Sequence, residues 1–269
     1  MIIRLHWWKE FRADKLQNYG DLMSKYLVEK FSKKKVFATR DPLNKILKKI
    51  IKPYYIVIGS VIGAANKNAI VWGSGIITKN QDVGKATFLA VRGPKTRKRL
   101  ITLGYNVPEV YGDPAILLPN FIKSKGVKKY DIGIIPHFVD YNLVFKLFQN
   151  NPQIKVINLL TNSVEKTTEQ ILECKQIISS SLHGVIVGHA YRISSIWVKF
   201  LDNLSGDDVK FYDYFESMNI NYKKVISIHP KALNEEKINT LFSNNKAILL
   251  PEIEMFQTRQ KELLNSCPF

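Results

Sequence analysis

Apolar positions along this chain alternate between two periods. Short, continuously apolar runs read as buried strands, and runs with apolar residues three and four apart read as amphipathic helices. Ile2 to Trp8 is strand-like. Leu22, Tyr26, Leu27 and Phe31 mark one side of a helix over Asp21 to Phe31. A second helix runs from Leu43 to Ile51 and stops before Pro53. Strands follow at Tyr55 to Gly59, Ala69 to Gly73 and Thr87 to Val91, then a helix over Lys95 to Leu103 with Pro94 in a tolerated first-turn position. Lys123 to Tyr130 is polar, basic and glycine-containing, and reads as a linker. A second alternation begins beyond it. Its strands are Asp131 to Ile135, Ile154 to Leu159, Lys175 to Ser179 and Ser194 to Phe200. Its helices are Tyr141 to Gln149, Val164 to Glu173, Val185 to Tyr191, Val209 to Met218 and Glu235 to Leu241. A last amphipathic helix spans Glu252 to Leu264, and its Ile253, Phe256, Leu263 and Leu264 need a surface to pack on.

Strand–helix alternation of this kind predicts an α/β protein with parallel sheets. Two alternations in 269 residues predict two Rossmann-like domains, 1–122 and 130–250, with 251–269 packing back on the first. Ligands of such sheets bind beyond the carboxyl ends of the strands. The glycine-rich turns Gly59-Ser60, Gly73-Ser74-Gly75 and Arg92-Gly93-Pro94 all fall at such ends, as does Ser179 to Gly184. The expected arrangement has the strand ends of both domains facing a shared cleft.

The turn Ser180-Ser181-Leu182-His183-Gly184 carries the most chemistry. A small, hydroxyl-rich turn entering a helix leaves backbone N–H groups that attract carboxylate or phosphate. His183 beside them can move a proton near neutral pH. At Val91 to Lys98 two arginines and two lysines crowd one helix start, where positive charge opposes the helix dipole. An anion would relieve that conflict, and Arg92 is placed to hold one. Asn18 and Asp21 either cap a helix or contact a sugar from the cleft floor. His137 and Asp140 either cap the helix from Tyr141 or touch an acceptor.

Composition narrows the classes. Apolar residues make up 45% of the chain, enough for a substantial core. Cys174 and Cys267 form no C-x-x-C motif, which suits a reducing cytosol. No apolar run reaches the ~18–20 residues of a membrane span. No metal-ligand spacing, phosphate-binding loop, G-x-G-x-x-G fingerprint or G-x-S-x-G elbow occurs. Forty basic against 23 acidic residues give a net charge of +17, which favours anionic partners. The lysines are dispersed and no RNA- or DNA-binding signature accompanies them, so no specific nucleic acid is expected. The protein is expected in the cytoplasm, and its charge predicts a basic face that meets an acidic glycan or anionic lipid at the inner surface of the cell membrane, with Trp7 and Trp8 either adding an apolar contact or, for at least one of them, lying in a buried strand.

Six segments in register resemble the polysaccharide pyruvyl transferase family: N-Y-G-D at 18–21, V-W-G-S-G-I at 71–76, V-R-G-P-K-T-R at 91–97, G-D-P-A at 112–115, P-H-F-V-D at 136–140 and S-S-L-H-G at 180–184. The resemblance implies a GT-B-like pair of Rossmann-type domains. It also implies transfer of pyruvate from phosphoenolpyruvate to sugar hydroxyls as a ketal, on a glycan acceptor that is often lipid-linked. The family's catalytic histidine falls on His183 and its donor-binding arginine on Arg92, with Ser180, Ser181, Leu182 and Gly184 completing the donor site. Some members carry an arginine where this chain has Ser181. No cofactor or metal is implied beyond phosphoenolpyruvate as co-substrate. Two other readings fit the same residues: a glycosyltransferase on a GT-B-like scaffold, and a non-enzymatic protein that binds anions or nucleic acid.

Overall fold

A computed structural model describes residues 2–9, 12–201 and 206–269. The chain forms two compact units. The first comprises 1–115, 206–219 and 252–269, and the second 116–205 and 220–251. The change from one to the other falls at 115/116, not in the polar stretch 123–130. The chain also returns to the first unit twice, where the sequence predicts one return, at the final helix.

Strands and helices are numbered here along the chain. The strands of the two five-stranded sheets are β1 (Ile2–His6), β2 (Lys35–Ala38), β3 (Tyr54–Ile56), β4 (Ala69–Trp72), β5 (Thr87–Ala90), β6 (Tyr130–Ile135), β7 (Ile154–Val156), β8 (Cys174–Ser179), β9 (Ser194–Lys199) and β10 (Ile226–Ser227). The helices are α1 (Tyr19–Ser32), α2 (Asn44–Ile50), α3 (Pro94–Thr102), α4 (Tyr141–Phe148), α5 (Val164–Leu172), α6 (Leu182–Ala190), α7 (Val209–Ser217), α8 (Glu235–Asn244) and α9 (Ile253–Asn265).

The first sheet runs β2-β1-β3-β4-β5 and the second β10-β9-β8-β6-β7, with every one of these pairings parallel. Counted within its own unit, each sheet therefore has the order 2-1-3-4-5. That order reverses direction between its first and third strands, and the crevice beyond that point is where doubly wound sheets bind ligands. In the second unit the reversal lies between β6 and β8. Their ends are level, since Ser179 pairs with Ile135.

The strands are short and apolar because both faces are covered. In the second unit Ile134, Ile178, Ile196 and Val198 form the sheet's share of a core that Val144 of α4 and Leu241 of α8 complete. In the first, Ile56, Val71 and Phe88 pack with Leu100 of α3 and Val209 of α7. α9 also belongs to this unit. Its Leu263 carbonyl and Ser266 hydroxyl accept the Trp72 indole N–H at 3.1 and 3.2 Å. Only half of its predicted apolar face is used: Phe256 and Leu263 are buried, whereas Ile253 and Leu264 remain exposed.

Candidate functional site

In the first unit the glycine-rich turns are occupied by the protein itself. Arg92 follows β5 and is completely buried. Its Nε donates to Asp213 Oδ2 at 3.1 Å, one terminal nitrogen to Ser60 Oγ at 2.7 Å and the other to the Ile76 carbonyl at 2.6 Å. Asp213, on α7, also caps α3 from outside that helix. It accepts the Thr96 N–H at 2.9 Å on Oδ1 and the Thr96 hydroxyl at 2.6 Å on Oδ2. A Cβ at residue 93 would overlap the Asp213 carbonyl, so the glycine after Arg92 is what admits α7. The conflict of positive charge at the α3 start is thus relieved by an anion, as the sequence suggests, but that anion is Asp213. The Arg92 guanidinium is enclosed, and each of its donor nitrogens is engaged inside the first unit by Asp213, Ser60 or the Ile76 carbonyl. Sequence reasoning does not single out Asp213, because nothing in V-K-F-Y-D-Y-F-E-S distinguishes a buried carboxylate from a solvated one.

Asn18 caps α1, accepting the Gly20 N–H at 2.9 Å on its side chain. Asp21 lies in the first turn of the same helix, with its carboxyl beside Gly59. Both are half-buried and stand at the strand ends of the first unit. Asp113 accepts the Ala115 N–H at 3.0 Å and so organises the G-D-P-A turn.

The second unit gathers the other predicted residues at one place, the reversal point between β6 and β8. P-H-F-V-D follows β6 and S-S-L-H-G follows β8. They are joined by hydrogen bonds: the His137 N–H donates to Ser180 Oγ at 2.8 Å, and the Ser180 N–H donates to the Ile135 carbonyl at 3.1 Å. Ser179 ties the turn from beneath. Its hydroxyl lies 2.9 Å from the Ile135 carbonyl and accepts the Ser181 N–H at 3.0 Å. Asp140 is buried, and its carboxyl does not cap α4, although it occupies the residue before that helix. Burial pushes that carboxyl up from the ordinary carboxylate range, while the Ser180 hydroxyl beside it acts in the opposite direction.

Helix α6 begins at Leu182, three residues earlier than the apolar pattern predicts, so His183 sits within its first turn. Ser181 is the residue before the helix, and its side chain makes no capping hydrogen bond. The first i→i−4 bond runs from the Val185 N–H to the Ser181 carbonyl. The amides ahead of it point out of the helix start, where they favour an anion. Gly184 allows this placement. A Cβ there would overlap Ser179 Oγ, and one at Gly188, a turn later, would overlap Ser195 Oγ. The two glycines let α6 lie close on the sheet, which fixes where His183 stands. His183 is half-buried, while Ser180, Ser181 and Leu182 are buried.

The arrangement brings together a titratable imidazole, a helix start, a hydroxyl and a buried carboxyl. It can hold an anion and move a proton. Of the other histidines, His189 is wholly enclosed and burial pushes it down to about 3, so it stays neutral. Among the described residues no three His, Cys, Asp or Glu side chains gather as metal ligands would. Nor is any helix among them long and apolar enough to cross a membrane.

The chain is 32% identical over 230 residues to an uncharacterised protein, L143, of Acanthamoeba polyphaga mimivirus, an alignment covering 78% of this chain and 75% of that protein. No solved structure matches it. The family model described as polysaccharide pyruvyl transferase matches residues 18–200, from the cap of α1 through the end of β9. That span includes both reversal points and all six segments singled out in the sequence, and the chain belongs to the polysaccharide pyruvyl transferase family.

Proposed function

We propose that this protein transfers the pyruvyl group of phosphoenolpyruvate to two hydroxyls of one sugar in a surface polysaccharide or its lipid-linked precursor, leaving a ketal and releasing phosphate. The observation that carries the reading is the convergence of His183, the α6 start, Ser180 and Asp140 at the reversal point of the second sheet. The imidazolium of His183 gives its proton to the enol methylene, which becomes the methyl group. A sugar hydroxyl attacks the adjacent carbon and loses its proton to the imidazole. The bond from that carbon to the phosphate oxygen then breaks, and a second hydroxyl adds to the carbon to close the ketal, its proton leaving with the phosphate. The amides at the α6 start hold the donor's anionic groups and take up charge as phosphate departs. No cofactor enters the scheme.

Arg92 does not serve as the donor's cation here, because Asp213 already neutralises it. Its part is to hold α3 and α7 in place around the first unit's strand ends. His137 and Asp140 orient the Ser180 turn, and through it the start of α6. Asn18 and Asp21 are assigned to the acceptor. The scaffold in this reading is GT-B-like.

The test is to incubate the protein with phosphoenolpyruvate and a panel of glycosides and to measure phosphate release. His183→Gln keeps a hydrogen-bond donor but cannot titrate. It is expected to lose roughly 10²–10⁴-fold in turnover, the range for a lost acid–base group, with the melting temperature unchanged. Near wild-type turnover would reduce His183 to a binding residue. Stabilisation by nucleotide-sugars and not by phosphoenolpyruvate would favour a glycosyltransferase instead.

A further inference from the structure

Among the described residues, α2 is the one helix of the first unit with no buried residue. Leu43, Ile46 and Ile50 are 56%, 61% and 75% exposed. At 3.6 residues per turn these three fall within an arc of about 60° on the helix surface. The helix is fixed by polar contacts at its ends, not by its apolar face. Arg4, buried in β1, donates to Asn44 Oδ1 at 2.7 Å at the start and to the Ile51 and Lys52 carbonyls at 2.6 and 3.0 Å at the finish. Asn44 donates in turn to the Thr39 carbonyl at 2.7 Å. One arginine therefore clamps the helix with its apolar residues turned outward.

The charged side chains along the helix itself are all of one sign. Lys45, Lys48, Lys49 and Lys52 are all exposed. No carboxylate side chain occurs between Asp41 and Asp82. Just before the helix the exposed indole of Trp8 lies under the Arg40 guanidinium, 4.4 Å from ring centroid to charge. An apolar ridge bordered by lysines, with an exposed tryptophan nearby, has the chemistry of a helix that lies in the headgroup region of an anionic bilayer. A protein partner for this face would need carboxylates around an apolar groove. An anionic membrane supplies both the negative charge and the apolar interior as one continuous surface.

We propose that α2, with Trp8 and Arg40, is a docking surface for anionic lipid, and that it holds the protein on a membrane face without spanning it. The proposal stands apart from the pyruvyl reading, because it is tested by binding alone. The full chain is to be sedimented with vesicles of phosphatidylcholine, and with vesicles containing about one third phosphatidylglycerol. Binding is expected to be at least about tenfold stronger to the anionic vesicles and to weaken with added salt. Ile46→Ser with Ile50→Ser, and separately Lys45→Glu with Lys49→Glu, should each lower it about tenfold with the circular dichroism spectrum unchanged. Equal partitioning to both vesicles would overturn the proposal. So would wild-type binding by both double variants, or a dimer in solution that the Ile46/Ile50 variant dissociates, since a second copy would then be the occupant.

Discussion

Arg92 and Asp213 form an ion pair with neither side chain exposed, and both are tied into further hydrogen bonds. Removing one partner of such a pair leaves the other charged and unsolvated, which costs about 3–5 kcal/mol. Arg92→Met and Asp213→Asn should each destabilise the protein by that order in urea unfolding. A loss below about 1 kcal/mol in both would show that the pair is open to water. Asp213→Asn carries a second readout, because asparagine can still accept the Thr96 N–H as a cap. If it loses much less than Asp213→Ala, helix capping and not charge is what the aspartate contributes. Arg92 was legible as a residue that needs an anion, from its strand-end position and the positive charge around it. The identity of that anion was not legible, because it lies 121 residues further along the chain in a helix whose pattern is only amphipathic. His183 was the easier case. Its neighbours in sequence, Ser180 to Gly184, are also its neighbours in space.

At the scale of elements the strand–helix alternation was readable, because buried parallel strands are short apolar runs bounded by turns. Two strands escaped it. β2 is preceded by Lys33 and Lys34 and starts with Lys35, so no continuous apolar run marks it, and β10 has only two residues. Both are edge strands, where one side of the ladder is open and charge is tolerated. The start of α6 was misjudged for a different reason. Ser-Leu-His-Gly has the composition of a turn, and only contact with the sheet makes it helical. That contact depends on Gly184 and Gly188. An added methyl at either position has to displace a serine hydroxyl of the strands beneath. Gly184→Ala and Gly188→Ala are each expected to cost about 1–3 kcal/mol of stability, despite alanine's higher helix propensity. Gly184→Ala should also lower turnover, because it moves the first turn that carries His183. Stabilisation by either substitution would show that α6 stands clear of those serine hydroxyls.

Over the whole molecule, each unit holds one histidine whose burial favours its neutral form. Burial pushes His6 in the first unit down to about 4, with the Arg40 charge adding to the shift, and His189 in the second down to about 3. A base with a lowered folded pKa contributes stability that is complete above its unfolded value, near 6.5, and is lost as pH falls toward the folded value. Asp140 works the other way. Its raised carboxyl favours the folded state at low pH, and that contribution fades as pH rises through its folded value. The melting temperature should therefore fall as pH drops from about 6.5 to 4, with both units affected. His189→Gln should make that slope shallower, and an unchanged slope would mean that His189 titrates normally. Two units were legible from the doubled alternation, but the second return to the first unit was not. Val209 to Met218 reads simply as the next helix, and only the burial of Asp213 against Arg92 reveals where it belongs.

That double return governs the order in which a growing chain can mature. The strands of the first unit leave the ribosome first, yet at Ala115 they hold a cationic side chain without its counter-charge and an indole N–H without its acceptor. Asp213 arrives about a hundred residues later, and Leu263 later still. The second unit has all of its residues by Pro251. The half of the protein that is synthesised first is therefore the half that closes last.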